Sequence, residues 1–242
     1  MFALVILGVF LLAAFIAVLV LAQRRFYLST RWVESVPSET IDVLSRAFFP
    51  GTSAHIGNRR ITFTVHRLGN LKVPSGRLIA CDPQLLDGEP FEEAVPGGEY
   101  PVEVAIVRVD GEERIAFARI KLSEADAVKW EMALVAGQDP AALEDGEVYG
   151  YGVDTAMGSF MDEEAFVEML ARSDEDDELY VQTLVDSMED TRDCGLLNDG
   201  KASVALFSSG YGDGTYASYW GMDVNGRRAT LTTDFRVVRW KP

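Results

Sequence analysis

SVALFSSGYGDGTYASYWGMDVNGRRATLTTDF, residues Ser203 to Phe235, reads as three consecutive antiparallel strands with their turns written into it. Asn225-Gly226 stands between the aromatic run Tyr216 to Val224 and the β-branched run Ala229 to Thr233. That dipeptide supplies two positive-φ residues for a type I′ hairpin. Upstream, Gly210, Gly212 and Gly214 surround Asp213, a turn too rich in glycine to continue a helix. A sheet built from hairpins is therefore the frame into which the remaining segments must fit.

A second hairpin lies at YPVEVAIVRV, Asp110-Gly111, EERIAFARIKL, where Val102, Val104 and Ile106 alternate with polar residues. Arg60 to His66 has the alternation of a strand, with Gly69-Asn70 as its break, and Arg77 to Cys81 forms a short strand before Asp82-Pro83. Ala127 to Val135 is read as a strand with Trp130 on one face and Lys129 and Glu131 on the other. Glu147 to Val153 is a further strand. Asp162 then caps a helix whose first turn carries Glu163 and Glu164, and a second helix covers about Leu179 to Asp190. The fold class is α+β, a mostly antiparallel sheet with a late helical pair.

Phe2 to Ala22 carries no charge and at helical rise would span about 31 Å, the thickness of a bilayer core. It lacks a basic n-region and a small residue three positions before a cleavage point, so it reads as a transmembrane helix and not a signal peptide. Arg24, Arg25 and Arg31 form its only basic flank and place the C-terminal domain in the cytoplasm of a bacterial inner membrane, single pass. The domain boundaries that follow are 1–28 for the membrane helix and flank, 29–70 for linker, short helix and first strand, and 71–242 for the folded domain.

The formal net charge of −16 disfavours nucleic acid, whose phosphates would be repelled. Cys81 and Cys194 are too far apart in sequence and too few for a disulfide framework or zinc ribbon, and they read as buried thiols.

Several stretches taken together, VPSGRLIACDP, YPVEVAIVRV, VKWEMAL, VDTAMGSFMDEEAF, SSGYGDGTYASYWGMD and LTTDF, resemble an uncharacterised, mainly bacterial family catalogued as domain of unknown function 4241. The resemblance spans most of 71–235 and implies one domain. It implies no activity, substrate or catalytic residue.

The candidate chemistry is acidic. Asp82, Glu131, Asp154, Asp162 and Asp213, with Asp234, fall at strand ends or turns. Gathered at one end of the sheet, they would offer hard oxygen ligands for Ca²⁺ or Mg²⁺ in a metal-assisted hydrolase. Asp beside Gly is also ordinary turn chemistry. Cys81 and His66 are a candidate thiol–imidazole dyad, and Ser208-Ser209-Gly210 does not make a nucleophile elbow. Tyr211, Tyr216, Tyr219 and Trp220 could form a recognition surface or a core stripe. No complete acid, base and nucleophile set is specified. The sequence therefore favours a membrane-anchored acidic binding domain with a protein partner of basic or neutral character, against two alternatives: the hydrolase, and an immunity or accessory protein that blocks a toxin.

Overall fold

A computed structural model describes residues 31–33, 43–49, 51–56, 58–144, 146–189, 192–200 and 202–238. The membrane helix expected over Phe2 to Ala22, with Arg24 and Arg25 of its flank, lies outside the described residues. Among the described residues no helix is long and apolar enough to cross a membrane. In chain order the strands are β1 (Arg31–Val33), β2 (Ser53–Ile56), β3 (Arg59–Thr62), β4 (Thr64–Val73), β5 (Leu78–Cys81), β6 (Gly98–Val109), β7 (Glu112–Lys121) and β8 (Lys129–Met132). They continue with β9 (Glu147–Tyr149), β10 (Tyr151–Val153), β11 (Met157–Asp162), β12 (Cys194–Asp199), β13 (Ala202–Ser208), β14 (Gly214–Tyr216), β15 (Ser218–Met222) and β16 (Arg228–Asp234). Two helices, α1 (Glu163–Glu175) and α2 (Asp177–Asp186), fall between β11 and β12.

The strands form a six-stranded sheet in the order β4-β6-β7-β16-β15-β8, a four-stranded sheet in the order β12-β13-β11-β5, and two-stranded ribbons β1-β9, β2-β3 and β10-β14. Every pairing is antiparallel. Alternation along the four-stranded sheet sorts side chains into two cores. Leu78, Ala80, Phe160, Ala205 and Phe207 join the core shared with the six-stranded sheet. Ile79, Cys81, Met161, Val204 and Leu206 join a second core with Ala165 and Met169 of α1 and Tyr180 and Leu184 of α2. The result is a layer of helices on a sheet on a sheet. Because β13 is covered on both faces, its sequence SVALF is a near-continuous apolar run.

The expected three-strand unit is reorganised. Ser203 to Phe235 holds four strands that pass between sheets: β13 belongs to the four-stranded sheet, β14 pairs with β10, and β15 and β16 belong to the six-stranded sheet. The glycine-rich stretch 210–214 is thus a crossover and not a hairpin turn. Gly210 has φ 65°, and a Cβ there would lie 2.6 Å from Val237 Cγ2 and 3.0 Å from the Phe235 carbonyl oxygen. The Tyr216 hydroxyl donates to the carbonyls of Ser209 (3.0 Å) and Gly212 (2.6 Å), tying the crossover to the strand it feeds.

Asp110-Gly111 turns as expected, with both residues at positive φ (53° and 91°). Asn225-Gly226 does not. There only Gly226 is positive, at 72°, and Asp223 and Arg227 close a longer loop through Asp223 N–H to Arg227 O and Gly226 N–H to Asp223 O. Asp223 accounts for the difference, since its carboxylate accepts from the N–H groups of Asn225 and Arg227, 2.8 Å each, and holds the backbone in that form.

Gly69-Asn70 does not end the strand either. β4 runs through it with a register shift between Arg67 and Gly69, and Gly69 adopts φ 140°, a conformation that favours glycine. The single strand expected over Glu147 to Val153 divides at Gly150 into β9 and β10, which take different partners. The helices meet earlier than expected, at Asp176, which ends α1 and caps α2 by accepting from Leu179 N–H.

The segment 29–70, expected as linker, short helix and first strand, contributes Val43, Leu44, Ala47, Phe48, Ala54, Ile61 and Phe63 to the larger core. A helical turn over residues 43–46 lies against the six-stranded sheet, where the Arg119 guanidinium sits 4.1 Å over the Phe48 ring and Trp130 Nε1 donates to Ser45 Oγ at 2.9 Å. The backbone of β1 pairs with β9, Arg31 opposite Tyr149.

Candidate functional site

A carboxylate buried without charge or hydrogen-bond compensation is costly, so the bonding of each acidic candidate decides what it is free to do. Asp82, fully buried at the end of β5, accepts from Gln84 N–H (2.9 Å), Asp154 N–H (3.0 Å), Thr155 N–H (2.9 Å) and the Thr155 hydroxyl (2.8 Å). It locks the turn after β5 to the turn after β10. Asp162, also fully buried, caps α1 by accepting from Glu164 N–H and reaches back to the N–H and hydroxyl of Ser75. Asp213 accepts from Ala156 N–H at 3.1 Å, which has φ 57°. Asp154 is exposed, and Glu131 pairs with Lys129 on the outside of β8.

These five carboxyl groups are not gathered into one cluster. Among the described residues, the group whose metal-ligating atoms converge is His66, Glu189 and Cys194. Asp82 and Asp162 each accept from at least two backbone N–H groups and Asp213 from one, so each of the three holds a turn or helix start in place.

The aromatic set divides in the same way. Tyr216, Tyr219 and Trp220 are buried at 5 %, 8 % and 1 % exposure and pack in the larger core, so they are core and not an exposed recognition surface. Phe91 meets Trp220 edge-on at 5.8 Å, and Trp220 Nε1 donates to Glu93 at 2.9 Å. Tyr211 alone of the four is exposed, with the Arg114 guanidinium 4.7 Å over its ring. No dyad of Cys81 with His66 forms: Cys81 lies in the core beneath the helices, while His66 Nε2 contacts Glu189 Oε1 at 2.9 Å. Burial pushes the thiols of Cys81 and Cys194 up to about 12, which keeps both protonated at neutral pH. Both are free and buried, as expected.

The seam between the two sheets contains a cleft that the sequence did not announce. The loop leaving β5 bridges the layers, since Phe91 N–H donates to Leu78 O and Glu92 N–H to Leu134 O. Behind it the lining combines the apolar Ala80, Phe91, Ala133 and Val135 with Tyr151, Gly152 and Gln138 and with two acidic residues, Asp87 and Glu89. The cleft opens to solvent, and its inner volume of about 50 Å³ has room for a few waters or the end of one side chain. Gly88 lets the loop lie flat, because a Cβ would sit 2.7 Å from both Cys81 Cβ and Ile79 Cγ2, whereas a Cβ on Gly152 would meet nothing within 4 Å. Glu89 is half-buried and, among the described residues, has no cationic partner, although Glu103, Glu93 and Glu163 are each paired with an arginine. Asp87-Gly88-Glu89-Pro90 carries no motif that would single it out in the sequence.

The family model described as "Protein of unknown function (DUF4241)" matches residues 71–233, about two thirds of the chain. The chain belongs to this family. The DUF4241 match begins within β4 and ends within β16, and it takes in the Asp82 lock, both helices, the crossover and the cleft. No curated protein matches the chain and no solved structure matches it.

Proposed function

We propose that this DUF4241 domain is a binding module whose cleft receives the cationic end of a lysine or arginine side chain from a protein partner, and that Phe2 to Ala22 holds it at the cytoplasmic face of a membrane. The observation that carries the first part is Glu89. Half-buried beside apolar lining residues, Glu89 has no cationic partner among the described residues, and a cation entering the cleft would supply one. The dimensions agree, since an aliphatic stem suits Phe91 and Val135 while the charged head lies near Asp87 and Glu89. The net charge of −16 favours approach of a basic partner over an acidic one. The anchoring part rests on the sequence of the first 22 residues and their arginine flank.

The test is titration of the full chain, isotopically labelled at glycine, with capped arginine and capped lysine. Saturable shifts of the Gly88 and Gly152 resonances are expected with Kd on the order of 1 mM, about 4 kcal/mol. Glu89→Gln and Gly152→Leu should abolish them, and Glu92→Gln, on the exposed side of the loop, should not. Shifts that do not saturate, or that survive Glu89→Gln, would overturn the assignment.

A further inference from the structure

His66, Glu189 and Cys194 are separated by 123 and 5 positions in sequence, yet one ligand atom from each lies within 4.8 Å of the other two. None of them lines the cleft. His66 stands in β4, an edge strand of the six-stranded sheet, and Cys194 begins β12, an edge strand of the four-stranded sheet. Glu189 arrives from the end of α2, where Glu189 N–H donates to Cys194 O at 2.9 Å and Met188 bridges to Gly195. Only glycine permits that approach, because a Cβ on residue 195 would fall 1.9 Å from the Ser187 carbonyl oxygen. The chain is thereby folded so that a carboxylate is laid beside a thiol, with an imidazole facing both from the other sheet.

We infer that His66, Glu189 and Cys194 form a binding site for a zinc-class divalent cation that clasps the two sheets at their adjoining edges. The donor set carries the choice of ion. Imidazole, carboxylate and the thiolate left when the ion displaces the Cys194 proton to solvent are the three zinc ligand types, while Ca²⁺ and Mg²⁺ take oxygen alone. With zinc bonds of about 2.0 to 2.3 Å, tetrahedral donors lie about 3.3 to 3.8 Å apart. The His66 and Glu189 contact at 2.9 Å would open slightly and the 4.8 Å span would close by about 1 Å. Side-chain rotation covers this: the side chains of His66 and Glu189 are 25 % and 39 % exposed, and Cys194 is the fixed point at 0 %. Three protein ligands leave a fourth position for water.

The experiment uses the untagged full chain, stripped with chelator, in competition with a chromophoric zinc indicator and in parallel with Co²⁺ absorption spectroscopy. One equivalent of Zn²⁺ is expected to bind, and the Co²⁺ form should show a thiolate-to-cobalt charge-transfer band. His66→Ala and Glu189→Gln should each weaken binding by roughly tenfold or more, the scale on which even the surroundings of a ligand act. Cys194→Ser should remove the band, and Cys81→Ser should leave both readouts intact. Absence of a saturable equivalent, a Co²⁺ spectrum without the band, or unchanged zinc affinity in His66→Ala would overturn the site. His66→Ala keeps the test decisive if Cys194→Ser fails to fold, because His66 is partly exposed and only its outer ring is lost.

Discussion

Asp82 shows how one buried charge is made stable and then spends its chemistry on geometry. Four donors surround it from Gln84, Asp154 and Thr155, so the carboxylate keeps in the interior what water would otherwise give it. Removing the acceptor would leave those N–H groups pointing into a site that water cannot easily reach. Asp82→Ala should therefore lower stability by about 2 to 4 kcal/mol, read as a shift of the urea midpoint with unchanged slope. The loss should be the same in chelator as in millimolar Ca²⁺ or Mg²⁺, and a loss confined to the metal-containing buffer would mean that Asp82 is a ligand after all. At this scale the sequence was half legible. That Asp82, Asp162 and Asp213 mattered could be read from their places beside Pro, Gly and helix starts. Which distant N–H groups they accept from could not, because the donors on Ser75, Ala156 and Thr155 become neighbours only when β11 pairs with β5 and β13. The same limit hid Glu89, whose want of a cationic partner among the described residues depends on what the fold places around it.

Among the elements, the β15–β16 hairpin separates what a dipeptide suggests from what its neighbours impose. Asn225-Gly226 would suit a two-residue turn, but the Asp223 carboxylate captures the N–H groups of Asn225 and Arg227 and stabilises the longer loop. Those bonds, the one from Arg227 first, hold the Asp223 carboxyl below its ordinary value of 3.8. A folded-state pKa depressed in this way adds stability above the unfolded value and loses it as pH falls through the folded one. The difference in urea midpoint between the native chain and Asp223→Asn should accordingly stay constant between about pH 7 and pH 5 and shrink as pH is lowered below about 4. A difference that persists undiminished at the lowest pH would show that the loop is held by something other than the charged carboxylate. Strands and helices with their own periodicity, such as β6, β7 and α1, were legible without tertiary context. The crossover at 210–214 was not, since glycine-rich sequence reports that the chain turns and is silent on whether it returns to the same sheet. Its course is decided by the packing of Val237 and Phe235 against Gly210.

For the molecule as a whole, the strand β1 matters because it ties the folded domain close to the proposed anchor. Its backbone pairs with β9 from Arg31 onward, so residues 23–30 are all that separates the expected membrane span from the sheet, a reach of at most about 30 Å. If the anchor holds the domain there, an anionic leaflet would act on it only within a Debye length, about 8 Å at physiological salt, and Arg24, Arg25 and Arg31 are the basic residues of the flank in sequence. On the proposed topology these arginines would retain the cytoplasmic end and offset repulsion of a domain more acidic than the chain's net −16. A reporter enzyme active only in the periplasm, fused after Pro242, should be silent in the native chain. It should gain activity when Arg24→Gln and Arg25→Gln are combined with lysines inserted after Met1, because the charge bias is then reversed. Activity in the unaltered fusion would instead place the cleft and the His66 cluster outside the cytoplasm. The partner's basic side chain would then have to be sought among exported proteins.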